Sequence, residues 1–231
     1  MSSAPLAARD ELARDDRHTR EFDSLLLVLA IVSLAGFTAL TTALLNHNVF
    51  AFDLPILAIA RSWDGAPVIW NAVSQSANFP LIAIGLGLVL SLLWKRHYHE
   101  AVVVIVLLVA VTAGSEGVKQ LTARPRPAGN GDGIPGVVYS YPSGHILECL
   151  TILGVVTIRF WRTSNQRRAR VLLLVAVAIE VVLVAIARMA LNEHYPTDLL
   201  GGLFGAVTAL SLYAWFTRRG GWAGEPDTAH G

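Results

Sequence analysis

Cysteine and charge are both scarce in this sequence. Its 231 residues include one cysteine, Cys149, and only 15% of them are charged. A single cysteine excludes an internal disulfide and a cysteine-based metal cluster, and within an apolar run it is a small buried side chain. The formal net charge of +1 excludes the basic surface that nucleic-acid-binding proteins present. A soluble domain carries far more charge than this, so the composition favours a membrane protein.

Hydrophobic residues make up 54% of the chain, and the mean hydropathy is +0.53. Six apolar segments approach the roughly 20 residues that cross a bilayer as a helix. They are residues 24–45, about 70–94, 101–118, about 146–161, 171–191 and 199–216. The second segment begins with a polar half, and residues 53–70 before it are typical of an amphipathic stretch at the membrane surface, anchored by Trp63 and Trp70. The sequence therefore predicts an all-α fold, a six-span transmembrane helical bundle.

Arginine and lysine are distributed unevenly between the two sides of this predicted bundle. One side holds both tails and two connections, with Arg9, Arg14, Arg17, Arg20, Lys95, Arg96, Arg159, Arg162, Arg167, Arg168, Arg170, Arg218 and Arg219. The other side keeps Arg61, Lys119, Arg124, Arg126 and Arg188. Because basic residues concentrate in cytoplasmic loops, both termini are predicted to be cytoplasmic. An even number of spans agrees with that orientation.

The chain is interpreted as one membrane domain, residues 21–218, between two tails. The first apolar segment is longer than the roughly 7–15 residues of a signal-peptide core, and a long tail of mixed charge precedes it. It is therefore predicted to be an uncleaved span. The tails, residues 1–20 and 219–231, are predicted to be solvated and disordered.

Ionisable residues outside the basic loops fall at connections that share one face of the membrane. By parity, the third-to-fourth and fifth-to-sixth connections both lie on the non-cytoplasmic side. The polar residues at these connections are Lys119, Arg124, Arg126, Ser143, His145, Arg188, His194 and Asp198. Ionisable groups at a membrane boundary are costly and by default indicate function.

The types of these residues predict a phosphate chemistry. Cations clustered at low dielectric favour an anion with several oxygens, and the fork of arginine matches phosphate. Ser143 and the free N–H groups at the start of the fourth helix add donors, and Gly144 permits close approach of the backbone. His194 and Asp198 are four residues apart, so the carboxylate reaches the ring and leaves the other nitrogen free as a nucleophile. His145 then has the remaining role, protonation of a leaving oxygen.

Three segments, KQLTARPRP, PSGH and ARMALNEHYPTD, resemble the three-part signature of the type 2 phosphatidic acid phosphatase (PAP2) superfamily. Members of that family include membrane lipid phosphatases and soluble vanadium haloperoxidases. The matching residues are Lys119, Arg126, Ser143, Gly144, His145, Arg188, His194 and Asp198. The spacing from the lysine selects Arg126 rather than Arg124 for the first motif. Ala187 departs from the usual serine, which affects one hydrogen bond near Arg188 and not the chemistry.

The resemblance implies a metal-independent, two-step phosphoryl transfer without a cofactor. His194, oriented by Asp198, attacks phosphorus to give a phosphohistidine. His145 protonates the departing lipid oxygen, and water then releases phosphate. The groups that hold the phosphoryl oxygens are Lys119, Arg126, Arg188, Ser143 and Gly144. Positioning and charge stabilisation supply most of the rate in such reactions. The site is expected on the periplasmic or extracellular side of the cytoplasmic membrane.

The implied partners are membrane lipids and a lipid phosphate whose tail stays in the bilayer. Polyprenyl diphosphate is the first choice of substrate, and phosphatidylglycerophosphate or phosphatidic acid is close behind. A lipid-to-lipid phosphotransferase would use the same residues, and an anion transporter would need charges near the midplane and pseudo-symmetric halves. The six spans exclude a soluble haloperoxidase, and no pattern predicts an oligomeric state.

Of the polar residues beside the motifs, Arg124 and Glu148 keep two interpretations each. Arg124 contacts either a second phosphate of the substrate or lipid headgroups. Glu116 is three residues before Lys119, which favours an ion pair on one helix face. Glu148, one turn after His145, is either a partner of that histidine or a polar group facing the bundle interior.

Two further features lie deeper in the chain or over the site. Glu180 falls near the middle of the fifth span, where it is expected to be protonated or hydrogen-bonded between helices. Residues 127–144 are rich in glycine and are predicted to form a flexible loop over the site. Its tyrosines, Tyr139 and Tyr141, are expected at the interface beside lipid headgroups.

Overall fold

A computed structural model of the protein describes residues 6–46, 50–63, 65–127 and 139–219, with side chains from residue 19 to residue 218. The helices in these ranges are α1 (Leu6–Leu45), α2 (Asp53–Arg61), α3 (Pro67–Ser76), α4 (Phe79–Trp94), α5 (Tyr98–Thr122), α6 (Gly144–Thr163), α7 (Arg167–Ala190) and α8 (Pro196–Arg219). The described ranges contain no strand, only an isolated β-bridge between Pro125 and Tyr139. The predicted all-α fold is confirmed.

Six stretches of helix are long and apolar enough to cross a membrane. They are Thr19–Leu45, Pro67–Trp94, Tyr98–Thr122, Gly144–Thr163, Arg167–Ala190 and Pro196–Arg218. Each of these stretches overlaps one predicted apolar segment, so the multi-pass membrane architecture is confirmed. The second stretch is two helices, because α3 ends at Ser76 and α4 starts again with Pro80 in its first turn. Proline lacks an N–H and is tolerated there.

The stretch 53–70, predicted to be amphipathic, contains all of α2 and the start of α3 instead of one continuous helix. Within it, α2 ends at Arg61 and α3 starts at Pro67. The rings of Trp63 and Trp70 stack at 6.4 Å, and the Trp70 indole N–H donates to the Trp63 carbonyl at 2.7 Å. These contacts close the turn between α2 and α3.

The N-terminal end of α1 differs from the sequence prediction. The helix begins at Leu6, so residues 6–20 continue the first span as helix instead of forming a disordered tail. Alanine, leucine and arginine make up nine of these fifteen residues, and all three are strong helix formers. Residues 1–5 and 220–231 lie outside the described residues, as do residues 128–138 of the predicted loop.

The centre of the bundle is formed by α6 and α8. In their most apolar 18-residue windows, 39% and 44% of residues are buried, against 11% for both α1 and α7. The outer helices present large apolar side chains to the surroundings, such as Leu172 and Ile179 on α7. Such surfaces suit lipid contact, because hydrocarbon solvates them. His145 and Asp198 lie in the first turns of the two central helices, at one end of the bundle.

Two carboxylates inside the bundle have hydrogen-bond partners on other helices. The Ser76 hydroxyl donates to Glu180 Oε1 at 2.5 Å, which confirms the expectation of a hydrogen bond between helices for this mid-span residue. Near the opposite end, Tyr213 donates to Glu100 Oε1 at 2.8 Å, and Arg159 forms an ion pair with the same oxygen. Buried charge is tolerated where such partners are supplied.

Candidate active site

The Pro-Ser-Gly-His turn is fixed on the first turns of α8. The Ser143 N–H donates to the Asp198 carbonyl at 3.0 Å. A Cβ at Gly202 would lie 2.7 Å from the Ser143 carbonyl oxygen, and one at Gly201 would lie 2.4 Å from the Tyr141 ring. Only glycine permits this approach without a shift of the backbone or the ring. The two glycines therefore allow the second and third motifs to meet.

The first motif is brought to the same place by the turn after α5. Ala123 has φ 45°, a left-handed conformation that ends the helix and redirects the chain. The Arg124 carbonyl accepts the Ser140 N–H at 2.9 Å, and Pro125 forms the bridge with Tyr139. Pro125 and Tyr139 are thus held together beside the Ser143 turn.

His194 is placed by a tight turn after α7. The N–H groups of Glu193 and His194 donate to the Arg188 carbonyl at 3.0 and 3.3 Å. The histidine is 2% exposed and Asp198 is fully buried. Nδ1 of His194 lies 3.6 Å from Asp198 Oδ2, which is longer than a hydrogen bond. At this distance the carboxylate acts on the ring mainly through its charge.

Burial lowers the pKa of His194 to about 4. The carboxylate of Asp198 beside the ring raises this pKa, and the charge of Arg188 lowers it. Burial prevails because a charged imidazolium loses its hydration inside the protein. His194 is therefore neutral at pH 7, as a nucleophilic imidazole must be.

His145 faces the same cluster from the start of α6. Electrostatic interactions connect it with Arg188, His194, Lys119 and Arg126. Its Nε2 atom is buried and has no hydrogen-bond partner among the residues that the structure describes. The two histidines and the three predicted phosphate-binding cations therefore converge, as the motif spacing predicted.

The cations are already paired with carboxylates. Lys119 Nζ lies 3.5 Å from the position that a Cβ of Gly144 would take, and it contacts Glu116 Oε1 at 2.5 Å. The predicted Lys119–Glu116 pair is thus confirmed. Arg126 and Arg188, both nearly buried, contact the carboxylate of Glu193, which sequence reasoning did not single out.

Two serines at the site were also missed. Ser74 on α3 accepts from Arg188 Nη1 at 3.0 Å, so this arginine has a hydroxyl partner although position 187 is alanine. Ser115 on α5 precedes Lys119 by one helical turn and is buried, with no hydrogen-bond partner for its hydroxyl in the described ranges. A Cβ at Gly144 would lie 4.0 Å from this hydroxyl, so Ser115 belongs to the same site.

Arg124 is bound by side chains on three parts of the protein. Its guanidinium donates to Asp198 Oδ1 at 2.5 Å, to Thr197 Oγ1 at 2.6 Å and to Asp53 Oδ2 at 2.7 Å. It also stacks on the Tyr195 ring, 4.1 Å from the centroid. Arg124 therefore holds the carboxylate behind His194 instead of reaching toward solvent or lipid.

Asp53 completes this network from α2. It is fully buried and accepts the Thr197 N–H at 3.0 Å and the Thr197 hydroxyl at 2.8 Å. Its carboxylate thus satisfies an N–H group at the start of α8 that the helix itself leaves without a partner. Sequence reasoning missed Asp53, since one acidic residue at the start of an amphipathic stretch is typical of any helix N-terminus.

Tyr141 does not lie beside the lipid headgroups, so that expectation is wrong. The side chain is fully buried, and its hydroxyl contacts Thr41 Oγ1 at 3.1 Å and the Phe37 carbonyl at 3.3 Å. Burial raises the pKa of Tyr141 to about 12. The ring occupies the space that Gly201 leaves open and connects the Ser143 turn to α1.

Glu148 has a partner on the neighbouring helix. Its Oε1 accepts the Thr112 hydroxyl at 3.1 Å. The side chain is partly exposed between α5 and α6, one turn from His145 along the helix. This contact favours the interpretation of Glu148 as a polar group between helices over that of a direct partner of His145.

Comparisons with known proteins agree with this arrangement. A family model described as the PAP2 superfamily matches residues 98–221. No curated protein sequence matches the chain. Among solved structures, the chain is similar in fold to a transmembrane PAP2-type phosphatidylglycerolphosphate phosphatase from Bacillus subtilis, at 18% sequence identity and a TM-score of 0.65. That match covers 82% of this chain and 96% of the other.

Proposed function

Because the chain belongs to the PAP2 superfamily, we propose that it is an integral membrane lipid phosphatase that acts through a phosphohistidine. One observation carries the proposal. The buried His194, neutral at pH 7, lies beside a carboxylate and faces a second histidine and three cations at one end of a membrane bundle. That arrangement supplies a nucleophile, a proton donor and a binding site for phosphoryl oxygens.

In the first step, Nε2 of His194 attacks phosphorus, the N–P bond forms and the P–O bond to the lipid breaks. His145 gives its proton to the leaving oxygen, so the product is a lipid alcohol. In the second step, His145 takes a proton from water, the resulting hydroxide attacks phosphorus, and the N–P bond breaks.

The phosphoryl oxygens are held by the cations and by donors at the start of α6. We assign this role to Lys119, Arg126, Arg188, Ser143 and Gly144. Ser115 joins them, because its buried hydroxyl lies next to Gly144. Fixed positive charge in a site that excludes water stabilises the transition state. These cations meet the charge of the phosphoryl group, so the proposed reaction needs no metal ion.

The substrate we propose is a phosphate or diphosphate carried on a lipid. The site lies at one end of helices whose outer surfaces suit lipid, so an apolar tail remains in the bilayer while the phosphate enters. The distribution of arginine supports cytoplasmic termini and a site on the periplasmic or extracellular face. Polyprenyl diphosphate is the first candidate, followed by phosphatidylglycerophosphate and phosphatidic acid.

Hydrolysis by the purified full-length protein in detergent tests this function. Phosphate release is measured in EDTA from polyprenyl diphosphate, phosphatidylglycerophosphate and phosphatidic acid, beside a water-soluble phosphate ester. We expect release from at least one lipid at a rate well above that from the soluble ester. Release that requires an added metal ion would contradict the metal-independent mechanism. Release that requires an added lipid alcohol would identify a phosphotransferase, and no release from any lipid would contradict both.

Replacement of Asp53 by asparagine is expected to lower kcat about tenfold and to leave KM nearly unchanged. The variant removes one charge-assisted hydrogen bond to Arg124, which is worth about 1.5–3 kcal/mol. If about half of the upper value is lost from the transition state, the rate falls about tenfold. Asp53 is a positioning residue, since it acts on His194 only through Arg124 and Asp198.

Asp23→Asn is the matched control for this variant. Asp23 is also buried and lies 3.5 Å from Arg218, near the opposite end of the bundle. Steady-state kinetics and thermal melting are measured for both variants. An equal loss of kcat in the two variants, in proportion to their loss of melting temperature, would reduce Asp53 to a purely structural role.

A further inference from the structure

The carboxylate of Glu193 contacts both arginines that we assign to phosphoryl binding. Its Oε2 atom lies 3.5 Å from Arg126 Nη1 and forms an ion pair with Arg188 Nη2. The side chain of Glu193 is 14% exposed, and those of the two arginines are 6% exposed. An anionic oxygen of the protein therefore lies where the two guanidinium groups converge.

A carboxylate at this position has two opposite effects. Two guanidinium groups brought together away from water repel each other, and an anion between them removes that repulsion. The same N–H groups are those that a phosphoryl oxygen requires, because both anions bind the guanidinium fork. Two anions on one pair of cations repel each other, so the carboxylate and a phosphoryl group exclude each other from these N–H groups.

We propose that Glu193 is an internal competitor for the phosphoryl site. Its carboxylate and the phosphoryl group bind Arg126 and Arg188 in turn. This inference rests on the proposed function, since it assigns the two arginines to phosphoryl binding. The N–H groups of Glu193 and His194 are both bonded to the Arg188 carbonyl, which fixes the turn. The exchange is therefore confined to the glutamate side chain and leaves His194 in place.

Competition of this kind distinguishes the substrate from the product. A lipid phosphate keeps the binding energy of its apolar tail, whereas inorganic phosphate binds through charge alone. A carboxylate attached to the site has a high effective concentration and lowers the affinity for any anion. The lipid has tail contacts that compensate for this loss, and free phosphate has none. Return of Glu193 to the arginines thus favours release of the product and limits inhibition by phosphate.

The test is a titration of the purified full-length protein with inorganic phosphate. The apparent Kd is obtained from the increase in melting temperature with phosphate concentration. Glu193→Gln removes the charge and keeps the shape of the side chain. If the carboxylate holds the arginines about nine-tenths of the time, its removal tightens the apparent Kd for phosphate about tenfold. In lipid hydrolysis we expect KM to fall, inhibition by phosphate to strengthen and kcat not to rise.

Glu148→Gln is the matched control, because it removes a carboxylate near Lys119 that contacts neither arginine. Its Kd for phosphate is expected to change by less than about twofold, as for a charge acting at a distance through screening. Arg188→Ala is expected to abolish phosphate binding. Glu193→Asp keeps the charge but shortens the reach, and an intermediate Kd is expected. The aspartate variant also serves if the glutamine variant does not fold.

Unchanged or weaker phosphate binding by Glu193→Gln would overturn the inference, because Glu193 would then only position the arginines. The inference would also be overturned if Glu148→Gln tightened phosphate binding as much as Glu193→Gln does, because the effect would then not depend on contact with the arginines. Phosphate binding that tightens in Glu193→Gln, in a protein that hydrolyses no lipid phosphate, would support the inference and overturn the proposed function. If neither the wild-type protein nor Glu193→Gln binds phosphate, the inference is overturned, and the proposed function is decided by lipid hydrolysis alone.

Discussion

Replacement of His194 by alanine is expected to abolish lipid phosphate hydrolysis, with a fall in kcat of roughly 10⁴-fold or more, as for loss of a catalytic nucleophile. The variant removes the atom that forms the N–P bond in the proposed mechanism. The cations remain in place, so inorganic phosphate should still bind. The measurement is single-turnover release of phosphate from the lipid that the wild-type protein hydrolyses best.

Trapping of the phosphohistidine intermediate distinguishes a nucleophilic role of His194 from a purely structural one. Wild-type protein quenched during turnover of a phosphate-labelled lipid should carry label that is stable in alkali and lost in acid, as a phosphoramidate requires. His194→Ala should carry none. His97→Ala is the control, since His97 precedes α5 at the opposite end of that helix from Lys119. Label in His194→Ala would place the nucleophile elsewhere, with His145 the first alternative.

The second large effect is expected from Asp198→Asn, with kcat falling by about 10³- to 10⁴-fold, as when the carboxylate of a Ser-His-Asp triad is replaced. Asp198 lies beside Nδ1 of His194, accepts the Tyr195 N–H at 2.8 Å and receives Arg124 at its other oxygen. An amide has one acceptor oxygen where the carboxylate has two. The asparagine therefore cannot keep all three contacts, and the orientation of the ring is lost.

This variant should leave phosphate binding nearly unchanged, because Asp198 contacts none of the cations assigned to the phosphoryl group. The expected result is a fall in kcat with a stable KM and a stable phosphate Kd. The fall in kcat should also be at least about tenfold larger than the fall in Asp53→Asn, since Asp53 acts on the His194 ring only through Arg124 and Asp198. A loss of less than about tenfold in Asp198→Asn would contradict the assignment of the carboxylate to His194.

The spacing of the motifs was enough to predict the centre of the site. His194 and Asp198 fall on one turn because four residues separate them at the start of a helix. Lys119 and His145 meet because one ends α5 and the other begins α6, on the same side of the bundle. Parity of the spans and local helix geometry determine these positions. Neither depends on details of packing.

The residues that were missed reach the site from distant parts of the chain. Asp53 and Ser74 belong to α2 and α3, whose sequence is that of an ordinary amphipathic segment, and nothing in its periodicity indicates which polar group turns inward. Glu193 lies next to a motif histidine, but its contact with two arginines depends on the turn after α7. Tyr141 was misplaced because the space for its ring is created by Gly201, far along the chain.

The buried link between α2 and α8 has a consequence for the biosynthesis of the protein. Asp53 leaves the ribosome 71 residues before Arg124 and 144 residues before Thr197. During that interval its carboxylate has none of these partners, and an unpaired charge in hydrocarbon is costly. We therefore expect the α2 segment to stay in the hydrated headgroup layer until α8 has been inserted and can supply Thr197. The end of the bundle that holds His194 would then be assembled only after α8 is in place.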